Sequence, residues 1–152
     1  MSSEILRSPG DDAIRQFSIF ADNKVGRLND IIVLLAQHDI HILSLCTVDT
    51  TDSAIIRLIP DYWENVKALF DEHGYAYSMN EVMVVEFATE QDIRTVTCAL
   101  TQTEINIHYT YPMLMRPAGK CGLVLHLEDN EMAADILTRS SIRVLTQSDL
   151  AR

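Results

Sequence analysis

The stretch over residues 17–44, FSIFADNKVGRLNDIIVLLAQHDIHILS, decides the fold. Its first apolar segment, residues 17–21, is typical of a β-strand, and a polar loop with one glycine follows over residues 22–27. The strongly apolar residues from 28 to about 37 predict a helix, and residues 40–48 predict a second strand. This order places the loop at the end of a strand and at the start of a helix.

The loop between the first strand and the helix is the first candidate binding site. Gly26 has no side chain, so that backbone or ligand can approach it closely. Asp22 and Asn23 are residue types that cap helices, and the first amides of a helix donate to anions. The loop therefore suits a carboxylate, although a glycine in such a turn is also common for steric reasons alone.

The residues that follow complete one structural unit. Residues 53–59 alternate in polarity and predict a third strand. Asp61 is expected to cap a second helix over residues 62–73, with Gly74 at its C-terminus, and residues 75–79 predict a fourth strand. The order strand, helix, strand, strand, helix, strand is that of a ferredoxin-like α+β unit, in which an antiparallel sheet carries two helices on one face.

The same pattern begins again after Asn80, which indicates an internal duplication. Further strands are predicted over residues 82–87, 105–111, 121–127 and 142–145, and further helices over residues 89–102 and 130–139. The first loop of the second copy contains no glycine, so we do not expect the two copies to be functionally equivalent.

The doubled pattern predicts the domain organisation. We expect an N-terminal arm over residues 1–14, a first repeat over residues 15–79 and a second repeat over residues 81–148. Asn80 leaves no room for a flexible linker, so the repeats should pack tightly, edge to edge, with their helices on a common side.

The first loop resembles that of the ACT domain, a small ligand-sensing module often attached to enzymes of amino-acid metabolism. Asn23, Gly26 and Leu28 match the family pattern. Val25 stands where proline is usual, and Arg27 stands where an apolar residue is common. The doubled element order extends the resemblance to a tandem ACT protein.

The resemblance implies a stand-alone, non-catalytic regulatory protein that binds an amino acid or a similar small metabolite between two βαββαβ repeats. In the family, ligand commonly lies where the first loop of one domain meets the start of the second strand of its neighbour. The candidate ligand-binding residues are Asp22, Asn23, Lys24, Val25, Gly26, Arg27, Leu28, His41 and Asn106.

Composition narrows the function classes. The chain has 152 residues and a formal net charge of −10, which argues against nucleic acid and against anionic membrane surfaces. No catalytic motif and no metal-ligand pattern stands out, and we expect no enzyme activity, no cofactor and a cytoplasmic location. His108 and His126 alternate with apolar residues and are expected to face solvent or a sheet edge.

Partner binding is the alternative to ligand sensing. The chain could instead be an interaction subunit of an amino-acid biosynthetic enzyme, such as acetohydroxyacid synthase, with no ligand of its own. The helix-free sheet face also predicts a homodimer or larger assembly. The expected members of that open face are Tyr75, Tyr77, Val84 and Tyr109.

The predicted ligand site gives a stoichiometry. Only the pairing of the first loop with Asn106 combines a glycine with two amide side chains, so titration calorimetry should give about one amino acid per chain. Asn23→Ala should weaken binding by about 1–3 kcal/mol, because a buried polar group would lose its partner. Two equal sites per chain, or normal binding by the variant, would contradict this prediction.

Overall fold

The computed structural model describes residues 13–22, 24–114 and 120–150. The elements are, in chain order, β1 (Ile14–Asp22), α1 (Arg27–Gln37), β2 (Ile42–Asp49), β3 (Ser53–Pro60), α2 (Trp63–His73), β4 (Tyr77–Phe87), α3 (Glu90–Gln102), β5 (Ile107–Pro112), β6 (Cys121–Leu127), α4 (Asn130–Arg139), β7 (Val144–Leu145) and α5 (Gln147–Leu150). Residues 1–12 of the predicted arm lie outside the described residues, and Ile14 already belongs to β1. Across the described ranges, every helix is too short or too polar to cross a membrane.

The strands form one antiparallel sheet in the order β2-β3-β1-β4-β6-β5, with β7 beside β4. β4 is a single strand whose first half pairs with β1 and whose second half pairs with β6 and β7. The expectation of two strands separated at Asn80 is wrong, because Asn80 pairs with Gln16 inside β4. The division into repeats at this residue stays a prediction.

The four long helices pack on one face of this sheet. Phe17, Leu35 and Phe70 are fully buried between the first sheet half and α1 and α2, and the rings of Phe17 and Phe70 meet edge to face at 5.5 Å. Leu100 and Leu137 fill the equivalent layer under α3 and α4. The predicted ferredoxin-like repeats with helices on one face are confirmed.

The helix-free face of the sheet holds a third apolar cluster. Ile59 of β3, Val84 of β4 and Tyr111 of β5 belong to it, although β3 and β5 lie far apart in the strand order. The sheet must therefore curl, with this face on the concave side. The two edge strands, β2 and β5, are joined by a hydrogen bond: the amide of Leu114, two residues after β5, donates to the carbonyl of Leu43 in β2 at 2.9 Å.

The strand register corrects the predicted open face. Val84 and Tyr109 do lie in or against the concave cluster. The assignment of Tyr75 and Tyr77 to the same face is wrong, because both pack against the cluster under α1 and α2. Tyr77 pairs with Ile19, which is buried in that helix-covered layer, so that both side chains point to the helices.

Helix ends follow local signals in most cases. Gly74 takes a φ of 72° at the C-cap of α2, and the Asp129 carboxylate accepts from the Met132 amide at the start of α4. The predicted cap of α2 is wrong: Tyr62 occupies the N-cap position, whereas Asp61 binds His41.

The shared strand predicts that both helix layers unfold together. Leu35→Ala and Leu100→Ala should each lower the free energy of unfolding by about 2–5 kcal/mol, because each removes buried methyl groups. Urea unfolding followed by Trp63 fluorescence reports the first layer, and circular dichroism reports the whole chain. Leu114→Ala, at a leucine that is 60% exposed, is the control and should change stability by less than about 0.5 kcal/mol.

Leu100→Ala gives the deciding measurement, because Leu100 and Trp63 belong to different helix layers. Leu100 lies under α3, so its substitution should shift the Trp63 transition as far as the dichroism transition. A Trp63 transition that stays in place would show that the two layers unfold separately.

Candidate functional site

The predicted ligand loop joins β1 to α1, and Asn23 lies outside the described residues. Gly26 takes a φ of 93° and occupies the N-cap position of α1. A side chain is strained at this φ, so glycine is favoured here whatever the space around it. The prediction that Asp22 caps α1 is wrong, because the cap position lies four residues later and Asp22 binds Arg27 instead.

The loop carries a compact group of charges. The Arg27 Nε donates to Asp22 Oδ1 at 2.5 Å, and Lys24 Nζ lies 3.3 Å from Asp22 Oδ2. The hydrogen bond from Arg27 lowers the pKa of Asp22 to about 2, with Lys24 helping and desolvation opposing. Asp22 therefore stays ionised at neutral pH, and its charge is balanced by two cations.

The two apolar loop residues differ in their surroundings. Val25 is fully exposed, whereas Leu28 packs against the buried cluster under α1 and α2. Leu28 therefore anchors the helix, and Val25 is available for contact with a ligand or a partner.

His41 immediately precedes β2, so it lies at the start of the second strand, where the ACT resemblance predicts a ligand contact. Its Nδ1 lies 3.0 Å from Asp61 Oδ2, and the backbone amide of His41 donates to the other oxygen of that carboxylate at 3.2 Å. Asp61 is buried, and its own amide donates back to the His41 carbonyl at 3.1 Å. These bonds fix the start of β2 while the imidazole remains exposed.

Asn106 holds the equivalent position before β5. Its amide donates to Glu128 Oε1 at 3.2 Å, and its carbonyl accepts from the Glu128 amide at 3.2 Å. The residue is exposed. Its backbone is thus held in place, and its side chain lies at the surface.

The family model for the ACT domain pair matches residues 12–152. The chain belongs to the ACT domain pair family. Among solved structures, it is similar to protein BT0572 from Bacteroides thetaiotaomicron, with 22% identity and a TM-score of 0.83 over 92% of this chain and 96% of that chain. It is also similar to the ligand-free regulatory subunit of aspartate kinase from Thermus thermophilus, with 12% identity and a TM-score of 0.61 over 85% of this chain and 93% of that chain.

At these identities the likeness to solved structures shows the fold alone. Comparison with curated protein sequences gave no significant match. The resemblance to a tandem ACT protein is confirmed by the family match.

In this ACT domain pair, the predicted site residues form separate groups. Among the described residues, the hydrogen bonds and ion pairs of Lys24 and Arg27 stay within the loop and α1 and do not reach Asn106. The sequence also predicts a second pairing, of residues 89–92 with His41. In the structure, Asp92 binds the amides of Ala88 and Thr89, whereas His41 binds Asp61.

A second polar group lies on the concave face, and sequence reasoning missed it. Gln16 is fully buried and hydrogen-bonds Ser18, Tyr109 and Tyr111. His126 is half-buried and stacks on Tyr109 at 4.7 Å, so the expectation that it faces solvent or a sheet edge is wrong. Little in the sequence signals this polar group, because Gln16 stands in β1 beside Arg15 and close to Ser18 and is not the one polar residue of an apolar strand.

The charged loop predicts a measurable pKa change. Arg27→Met should raise the pKa of Asp22 from about 2 toward the usual value of about 3.9, because the main hydrogen bond to the carboxylate is lost. Carboxyl carbon NMR over a pH titration measures this directly. Arg139→Met, at an exposed arginine of α4 that pairs with Asp135, is the control and should leave Asp22 unchanged.

The sign of the stability effect follows from the lowered pKa. Ionised Asp22 contributes stability that is present above the unfolded-state pKa of about 3.9 and is lost as pH falls through about 2. Because Asp22 is exposed, we expect this effect to be small. An Asp22 pKa that stays near 2 in Arg27→Met would refute the assignment of the shift to Arg27.

Proposed function

We propose that the protein is a non-catalytic regulatory module that binds an amino acid or a similar small metabolite at the interface of two ACT repeats. The observation that carries this proposal is the start of α1. Gly26 is its N-cap, and within the described part of the chain no side-chain hydrogen bond caps this helix. The first amides of such a helix suit a carboxylate.

The second repeat supports the choice of this loop. Its first helix, α3, begins with a capping-box arrangement of Thr89 and Asp92, in which the Asp92 carboxylate accepts from the amides of Ala88 and Thr89. A ligand carboxylate would there meet Asp92 and Glu90, both negatively charged. The contrast favours one competent site per chain, built on the loop before α1.

The loop charges match both ends of an amino acid. Lys24 and Arg27 supply cations for the ligand carboxylate, while the ionised Asp22 supplies an acceptor for its ammonium group. The side chains of Asn23 and Asn106 would complete the site, since an amide both donates and accepts. In this proposal the second repeat brings Asn106 to the loop before α1.

Family membership supports a regulatory role. A structural relative is named as the regulatory subunit of aspartate kinase. By this analogy we propose an allosteric role in amino-acid metabolism for a cytoplasmic homodimer or larger assembly.

A second candidate is an interaction subunit of an amino-acid biosynthetic enzyme that binds no ligand itself. The observation that favours it is the exposure of one apolar side chain in the loop before α1 and of another in β1. Val25 is fully exposed, and Phe20 of β1 is 49% exposed. Large apolar side chains that are exposed in this way are candidates for contact with a partner.

A thermal-shift screen of the twenty amino acids separates these candidates, because a ligand that binds only the folded state raises the apparent melting temperature. Gly26→Ala should abolish the shift given by the best ligand. The matched control is Gly74→Ala, since Gly74 also has a positive φ and open space around it. Each variant should lose about 1–2 kcal/mol of stability from backbone strain alone.

Both variants suffer the same backbone strain, so only the ligand response tells them apart. Gly74→Ala should keep the full ligand-induced shift. A Gly26→Ala protein that also keeps it would exclude the loop as the site. A wild-type protein that responds to no amino acid would favour the interaction subunit.

A further inference from the structure

On the concave face lies an arginine that has no acidic partner among the described residues. The Arg57 guanidinium of β3 stands 3.9 Å from the centre of the Tyr109 ring. None of the ion pairs within the described residues includes Arg57. Its Nε is buried and makes no hydrogen bond to the described part of the chain. A buried donor without an acceptor is costly, so the geometry favours an acceptor from outside the described part of the chain.

Two histidine rings lie next to this arginine. The His126 ring stacks on Tyr109, and the ring centres of His126 and His108 are 5.2 Å apart. His126 Nδ1 is also buried without a partner among the described residues. Burial lowers the pKa of His126, and the nearby His108 and Arg57 lower it further. An anion bound at this position would oppose that shift, because it favours the protonated form of His126.

The Gln16 network leaves two hydroxyl hydrogens available. The Gln16 amide donates to the Tyr109 oxygen at 2.7 Å and to the Ser18 oxygen at 3.2 Å. The Tyr111 hydroxyl in turn donates to the Gln16 carbonyl oxygen at 2.5 Å. Tyr109 and Ser18 thus act as acceptors toward Gln16, and each keeps one hydrogen with which to bind another group.

Among the described residues, the carboxylates near this group of donors already have partners: Glu128 lies two residues after His126, and its Oε1 accepts from the Asn106 amide at 3.2 Å. The strand neighbours of Arg57 are Ser18 and Cys46, and Ser18 pairs with Ser78 on its other side. Glu86 is on the concave side of β4, but it lies eight residues beyond Ser78, about 26 Å along the strand. Its carboxylate is already paired with Arg143 at 3.4 Å and with Lys120 at 3.5 Å.

The open end of the concave face is apolar. Phe20 pairs with Ile55, two residues along the strands from the Ser18 and Arg57 pair, which places the two rows about 7 Å apart. Phe20 is 49% exposed and Ser78 is exposed, so solvent reaches this end of the face. A molecule that enters here meets an apolar wall first and the donors behind it.

We propose that this concave face binds a small organic carboxylate. Its carboxylate is held by Arg57 and His126 with the Tyr109 hydroxyl, and its apolar part packs against Phe20 and Ile55. None of these residues belongs to the loop before α1, so the proposal is independent of the ligand site described under the proposed function.

Amide NMR spectra of the full chain, titrated with phenylacetate, test the proposal. The expected result is saturable shifts at Arg57, Tyr109 and His126. Phenylacetamide has nearly the same shape without the charge and should bind at least about ten-fold more weakly, since charge-assisted hydrogen bonds are the strong ones. Arg57→Met should weaken phenylacetate binding by a similar factor.

The control variant is Arg139→Met, which removes an equally charged side chain that is 76% exposed on α4 and should leave phenylacetate binding unchanged. Tyr109→Phe keeps the ring and removes the hydroxyl, so it should also weaken binding. Equal binding of phenylacetate and phenylacetamide to the wild-type protein would overturn the proposal without any variant. Shifts confined to residues 24–30, or normal binding by Arg57→Met, would overturn it as well.

Discussion

The continuity of β4 is the constraint on which the rest of the structure depends. Side chains alternate along a strand, so Tyr77 and Val85 point to the same face although they belong to different halves of the sheet. Both pairs of helices must then cover that one face. Val82 and Val84 point the other way, into the cluster that the two halves share. An inserted residue in β4 would turn one half over and expose its core.

The shared face explains why a buried polar network is tolerated. Curling brings β5 against β1, and the Gln16 side chain is then enclosed with no access to water. Three hydrogen bonds, to Ser18, Tyr109 and Tyr111, satisfy it. A one-step slip of β5 would break bonds of a buried amide, at a cost of about 1–3 kcal/mol for each group left unpaired. The network therefore helps to fix how the two halves meet.

Sequence reasoning succeeded where the deciding signal is local. The bounds of β6 and α4 match their predictions, because β6 is an apolar run after a loop and Asp129 caps α4 from the adjacent position. Sequence reasoning failed where a residue distant in sequence binds the group that the local signal concerns. Asp61 has the sequence context of a helix cap, yet His41 binds its carboxylate across the sheet end. Asn80 looks like a turn residue, yet its pairing with Gln16 keeps it inside β4.

The same distinction separates the two candidate sites. The loop charges lie close in sequence, so the grouping of Lys24 and Arg27 around Asp22 could be anticipated from the chain alone. The pairing of Arg57 with Tyr109 depends on the curl of the sheet, so it could not be anticipated from the sequence.

The two sites also differ in charge balance. At the loop before α1, the Asp22 carboxylate already balances the charges of Lys24 and Arg27. A ligand there must displace this carboxylate from the cations or carry both a negative and a positive group. On the concave face Arg57 has no such competitor among the described residues, and a simple anion suffices.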